Sequence, residues 1–198
     1  MTAFPRSIHR RHTFHVAAAV GFAACLAPIF TGCSDPPPLI PRGAWSVAFV
    51  DLPGCGPGAE NQAVGIVTAN ARNELKDDGV EEVKVSCKVL DTGSGFEIQA
   101  SESTKGLSLT LSIANLAADA TEANPTLGTV SYASPNTAVA FTSSKCEFYF
   151  LPQTDQGVSA GQVWLTFRCP EISAGIDNIC AIDIGYAAFE NCRTEDEE

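Results

Sequence analysis

The sequence predicts an all-β fold, an antiparallel β-sandwich or small barrel of about nine strands held by disulfides. Three observations carry this. From Trp45 onward, apolar and polar residues alternate in short runs, the period of a strand with one buried face. Clusters of Gly, Pro, Asn and Asp separate the runs, and no sustained helical period appears. Six cysteines lie in the same region: Cys55, Cys87, Cys146, Cys169, Cys180 and Cys192.

The strands follow in order. "AWSVAFV" is the first. Residues 61 to 78, "NQAVGIVTANARNELKDD", are ambiguous: a strand at Val64 to Thr68, then room for a helical turn. "VKVSCKV" places Val83, Val85, Cys87 and Val89 on one face, with Lys84, Ser86 and Lys88 opposite. After the turn "DTGSG" comes "GFEIQA", with Phe96 and Ile98 inward. "GLSLTLSI" is the cleanest alternation, Leu107, Leu109, Leu111 and Ile113 against Ser108, Thr110 and Ser112. "GTVSYA", "AVAFT", "CEFYFL", "QVWLTFRC" and "CAIDIGYAAF" complete the set. Strands with one polar face suit an antiparallel sheet.

The region before Trp45 concerns location. Residues 1 to 15 hold Arg6, Arg10, Arg11 and all three histidines without an acid, and residues 16 to 30, "VAAAVGFAACLAPIF", are apolar. That is the order of a secretory signal peptide. A spanning helix needs about 20 apolar residues, and Pro28 interrupts this shorter run. The run ends in "FTGC", which resembles the lipobox of bacterial lipoproteins, with Phe30 where that family usually has leucine. "FAAC" at Cys25 is a rival that would cut the apolar run in half. "RRHTF" is similar to a twin-arginine signal, but Phe14 stands one place too far along, so the general export route is favoured.

The lipobox resemblance implies that Cys33 is acylated and becomes the first mature residue. Several acyl chains, each stabilising by about 0.8 kcal/mol per buried methylene, would then anchor the protein in the membrane. In that family Asp after the cysteine retains proteins at the inner membrane; Ser34 stands here, which favours the outer membrane. The organisation read from the sequence is a signal peptide at 1–32, a Pro-rich tether at 33–43, a disulfide-stabilised β domain at 44–193 and an acidic tail at 194–198.

Export places the six cysteines in an oxidising compartment, where they form up to three disulfides. Alternation puts Cys146 with Phe148 and Phe150, and Cys169 with Phe167 and Leu165. The register that matches those faces opposes Cys146 to Cys169. Cys169 with Cys180 satisfies the same rule in the next hairpin, so both pairings stay open. No C-x-x-C pair supports a zinc ribbon or a thioredoxin-type site.

The mature pattern, ending in "GQVWLTFRCP" and "GYAAFENC", resembles uncharacterised cysteine-containing β-sandwich lipoproteins of myxobacterial type over most of residues 45 to 192. It is more faintly similar to the β-sandwich lipoprotein antigens of mycobacteria. The first resemblance implies a family with no assigned activity.

Composition narrows the function classes. Removing the three leader arginines takes the formal charge from −11 to −14, which argues against nucleic acid or an anionic membrane surface as a partner. All three histidines precede the mature chain, so a Ser-His-Asp triad, a Cys-His nucleophile and a histidine metal site have no residues to build them. There is no P-loop, and no cofactor or metal site is expected. Carboxylates alone remain for catalysis, as in a glycan hydrolase, which ranks third. "DDGVEE" (Asp77, Asp78, Glu81, Glu82) lacks the spacing of a calcium loop and reads as a solvated turn, and Asp183 as an exposed mid-strand residue.

Aromatic residues offer the sharper candidate. In "QVWLTFRC" Trp164 points away from Val163, Leu165 and Phe167; in "CEFYFL" Tyr149 points away from Phe148 and Phe150. Pairing Phe148 with Phe167 sets Leu151 opposite Trp164, with Tyr149 diagonal to it. An outward patch of Trp164, Leu151 and Tyr149 would stack on a sugar or anchor a protein partner. The alternative is packing, with Trp164 covering Gly185 of the next strand or lying under a loop. The expected function is therefore a lipid-anchored envelope module that binds or displays. The runner-up is a purely structural envelope component.

Overall fold

The computed structural model describes residues 38–50 and 52–195. The signal segment, Cys33, the first part of the tether and the end of the acidic tail lie outside the described residues. Among the described residues there are thirteen strands and no helix. They are β1 (Arg42–Phe49), β2 (Asn61–Val64), β3 (Ile66–Val67), β4 (Arg72–Glu74), β5 (Lys76–Asp77), β6 (Lys84–Asp91) and β7 (Phe96–Thr104). Then come β8 (Leu107–Leu116), β9 (Thr126–Ala133), β10 (Phe141–Tyr149), β11 (Gly157–Ser159), β12 (Gln162–Ser173) and β13 (Ile179–Glu190).

One antiparallel sheet holds most of them, in the order β2-β1-β13-β12-β10-β9-β8-β7-β6, with β11 added beside β12 and β5 beside β1. Strands β3 and β4 form a separate hairpin. The sheet curls into a half-barrel, and ring contacts cross its interior. Trp45 and Phe49 of β1 meet Tyr132 of β9 at centroid distances of 6.0 and 5.0 Å, and Phe49 meets Phe141 of β10 at 5.9 Å. Bulges at Ala48/Phe49, Phe96/Ile98, Ser143/Cys146 and twice in β12 bend the strands further than twist alone would.

The alternation read from the sequence is the alternation of burial. Val85, Cys87 and Val89 point inward from β6; Ile98 and Ala100 from β7; Leu109, Leu111 and Ile113 from β8. Three strand glycines make room for phenylalanine rings of neighbouring strands. A Cβ on Gly43 would stand 2.8 Å from Phe189, one on Gly128 2.8 Å from Phe148, and one on Gly185 would overlap Phe167. A ring covering a cross-strand glycine buries both its own surface and the bare backbone. Gly185 is thus covered as expected of a strand glycine, but by Phe167, its direct partner, while Trp164 lies opposite Ala188.

Residues 61 to 78 depart from expectation. No helical turn forms after Val64; the segment is β2, a break at Gly65, the β3–β4 hairpin and β5. Gly65 has φ +70, and a Cβ there would lie 2.8 Å from that of Ala44. The chain must pass this close to β1 to reach the outer face, where the hairpin lies flat on the sheet. A helix would hold Val67 away from that surface.

The three disulfides are Cys55–Cys180, Cys87–Cys192 and Cys146–Cys169. The register argument for Cys146 holds: Phe148 opposes Phe167, with Glu147 opposite Arg168. Cys169 and Cys180 do not pair because the two bulges in β12 shift the next ladder, setting Cys169 opposite Ile182 and Cys180 opposite Ile172. Cys180 therefore reaches the loop after β1 instead.

Cys87–Cys192 joins the outermost strand to the chain leaving β13. There Val89 N–H donates to the Arg193 carbonyl (3.0 Å), Arg193 N–H to Cys87 (3.0 Å) and Gly161 N–H to Val89 (3.1 Å). The free edge of β6 is thus occupied. A cross-link spanning 105 residues restricts the unfolded chain more than one spanning 23. Replacing Cys87 and Cys192 by Ala should lower stability by about 4–5 kcal/mol, against about 3 kcal/mol for Cys146 and Cys169, in non-reducing urea unfolding. Equal losses would show that loop length does not set the effect.

Candidate functional site

Trp164 lies outside the main core, but it is covered. The ring is 4% exposed. It forms a second small core with Ala44, Val67 and Ala188, flanked by Leu75 and Tyr186. Val67 and Leu75 belong to the hairpin region that the sequence left ambiguous, and that segment is the lid. Trp164 Nε1–H donates to the Thr68 carbonyl (3.2 Å), and the Arg72 guanidinium stands 5.4 Å above the ring. Gln156 ties down the same lid: its Nε2–H donates to Ala69 O (3.2 Å), and its Oε1 accepts from Leu151 N–H (3.0 Å) and Thr166 Oγ1–H (2.9 Å). Beneath this lid, the sheet is consequently buried on both faces around Ala44, Trp164 and Ala188.

Tyr149 is also buried, with Arg168 6.0 Å from its ring. Burial and the nearby Glu122 push its phenol up, against the opposing pull of Arg168. Arg168 itself is held by Glu147 and by Glu122 (3.1 Å). Leu151 is half-buried and does reach a surface, an open cleft of about 810 Å³ beside this ion cluster. Its floor is Ala120, Phe150, Leu151 and Pro152, and Asp119, Glu122 and Arg168 stand around it. The loop from Ala117 to Asn124 that forms one wall is fixed by a Phe150 N–H bond to Ala120 O (3.0 Å) and by mutual Thr121–Asn124 bonds. Of the three residues expected to form a patch, Leu151 alone lines this cleft. Its other wall residues carry no sequence pattern that marks them.

The acids singled out from the sequence lie apart from this cleft. Asp183 is exposed on β13. In "DDGVEE", Asp78 Oδ1 accepts the Val85 N–H (2.8 Å) at the entry to β6, and Glu81 pairs with Lys76 (3.1 Å). Among the described residues no three ligating side chains converge as a metal would require.

Two other acids are inside the half-barrel. Glu60 is 5% exposed and accepts from Tyr132 Oη–H at 3.0 Å, while its Oε2 has no protein partner. Burial is the main reason the Tyr132 phenol is raised. Glu102 is fully buried with neither oxygen hydrogen-bonded. The signal for Glu102 was present in the sequence: it shares the parity of Ile98 and Ala100 on β7. Burial pushes its carboxyl up to about 8, with the Lys76 ammonium opposing.

Two measurable consequences follow from these burials. Trp164→Ala should cost about 3–5 kcal/mol in chemical denaturation, because it empties the core beneath the hairpin. A loss within a few tenths of that of a surface substitution would contradict the lid. For Glu102, the unfolded carboxyl ionises near 4.5 while the native one keeps its proton to about 8. The native state therefore binds more protons between those values, and the group's contribution is complete in acid and is lost as pH rises towards 8. Relative to wild type, Glu102→Gln should gain roughly 4–5 kcal/mol across that window and nothing further above it. Urea unfolding at a series of pH values measures this, and a pH-independent difference would contradict it.

No family model, curated protein or solved structure matches the chain.

Proposed function

We propose that the protein is a lipid-anchored lipoprotein of the bacterial envelope, tethered through Cys33, whose β domain binds or displays a protein partner at the Leu151 cleft. The observation that carries this reading is the cleft itself: an apolar floor of Ala120, Phe150, Leu151 and Pro152 with charged groups around it. Its volume of about 810 Å³ lies within the range of ligand sites. The leader ending in "FTGC" and the three disulfides support an exported, anchored protein. Ser34 after the anchor favours the outer membrane.

A protein partner is preferred to a glycan because the stacking platform a sugar would use, Trp164, is under the hairpin. The carboxylates lining the cleft, Asp119 and Glu122, come from a single loop rather than from two facing walls, which speaks against the glycan-hydrolase reading. The purely structural role stays as the second reading. Its supporting observation is that Trp164 and Tyr149 both serve packing.

The test is made in producing cells. Wild type should incorporate a fatty-acid probe and yield a discrete adduct when a photo-crosslinking residue replaces Ala123 in the cleft wall. Cys33→Ser should lose the label. Leu151→Glu should lose the adduct with a melting temperature within a few degrees of the parent. An unlabelled wild type sinks the anchor; a labelled protein with no adduct favours the structural role.

A further inference from the structure

The end of the half-barrel where β5, the turn before β6 and the end of β7 meet contains an arrangement that packing does not explain. Glu102 is sealed inside with both oxygens unpartnered. Gly43 lies over it, so close that a Cβ there would stand 3.0 Å from Glu102 Oε2, and Phe189 closes the same spot at 2.8 Å from that Cβ. In the β1–β5 ladder Gly43 is the partner of Lys76. Lys76 Nζ is turned to the rim, 2.6 Å from Glu74 and 3.1 Å from Glu81.

We propose that Lys76 is a movable counter-ion: when Glu102 ionises, the ammonium leaves Glu74 and Glu81 for Glu102, and the turn from Gly79 to Val83 is released from the barrel mouth. The proton leaves Glu102 for solvent and no other covalent bond changes. This inference does not depend on the binding function proposed above.

Coulomb attraction favours the exchange. Glu74 and Glu81 have side chains 49% and 68% exposed, so their pairs with Lys76 are screened. A carboxylate in the interior would attract the same ammonium several-fold more strongly, because the surrounding dielectric is lower. Among the described residues, the other charges around this end of the barrel are paired or exposed. On β1 and β13, Arg42 and Glu190 pair with each other (2.9 Å). Asp77 of β5 and Lys84 of β6 are exposed, as are Glu82 in the turn and Lys105 beyond β7. Beside Glu102 on the ladders, β6 contributes Val85 and β8 contributes Leu109, both apolar. The field of the Lys76 ammonium reaches the carboxyl.

The turn is poised to respond. Glu81 and Glu82 both have positive φ, 53° and 64°, a conformation that L-residues hold only against strain. The Lys76–Glu81 pair ties this turn to β5. Above it lies a cleft of about 560 Å³ lined by Val64, Lys76, Glu81, Val83 and Thr104. Moving Lys76 inward removes a wall of that cleft and one of the ties on the turn.

Hydrogen exchange of the full chain, corrected for base catalysis, tests this from neutral to alkaline pH. In wild type, protection of residues 79–83 should fall about tenfold in one step, while β8 and β9 are unchanged. Glu102→Gln should abolish the step, and Lys76→Gln should leave the turn unprotected at every pH. A wild type without the step, or a step that survives in Glu102→Gln, overturns the proposal. Should Glu102→Gln not fold, the carboxyl carbon of Glu102 can be followed by NMR. Its midpoint should rise by about one pH unit or more in Lys76→Gln, and an unmoved midpoint overturns the exchange.

Discussion

The structure depends on what happens at the outer edge of β6. An antiparallel sheet of this length has two free edges and an apolar inner face that must be covered. Among the described residues no second layer covers it; the sheet curls until β6 meets the chain leaving β13. Cys87–Cys192 and the backbone bonds of Val89, Arg193 and Gly161 hold that meeting. Once it is made, side chains from β1, β9 and β10 face each other across one interior, and Trp45, Phe49, Tyr132 and Phe141 can pack as a group. The three Phe-over-Gly pairs are the local counterpart of this closure, since a curled sheet needs places where one strand's ring can lie on another's backbone.

Closure also explains why polar groups are trapped. Glu60, Tyr132, Trp45 Nε1 and Glu102 all stand on inward positions, and the interior supplies one hydrogen bond among them, from Tyr132 to Glu60. Burying a carboxyl without a partner destabilises its charged form, so Glu102 keeps its proton through neutral pH. A fold held by three disulfides can carry such a group. The cross-links act mainly on the unfolded chain and leave the interior's electrostatics as they are.

The outer face is organised by a different device. The β3–β4 hairpin, folded back at Gly65, converts the polar side of β1, β13 and β12 into a second small core around Trp164. The loops at the end of β10 lie beyond this hairpin, and the Leu151 cleft is there. Packing at Trp164 and access at Leu151 are two results of one lid, whose length ends short of the second residue.

Much of the fold was legible in the sequence alone. Period-two alternation named the inward residues of β6, β7, β8, β10 and β12, because a strand has only two faces and burial selects one. Parity and ring matching also placed Cys146 opposite Cys169. Composition by itself set the charge and the absence of histidine after His15. The tertiary structure decided what local pattern cannot encode. Bulges in β12 moved Cys180 away from Cys169, a shift of register that no period reveals. The hairpin over Trp164 is a contact between segments nearly a hundred residues apart, so nothing near Trp164 announced it. Glu102 had the parity of a core residue, but its isolation and the nearness of Lys76 arise only where β1, β5, β7 and β13 come together in space.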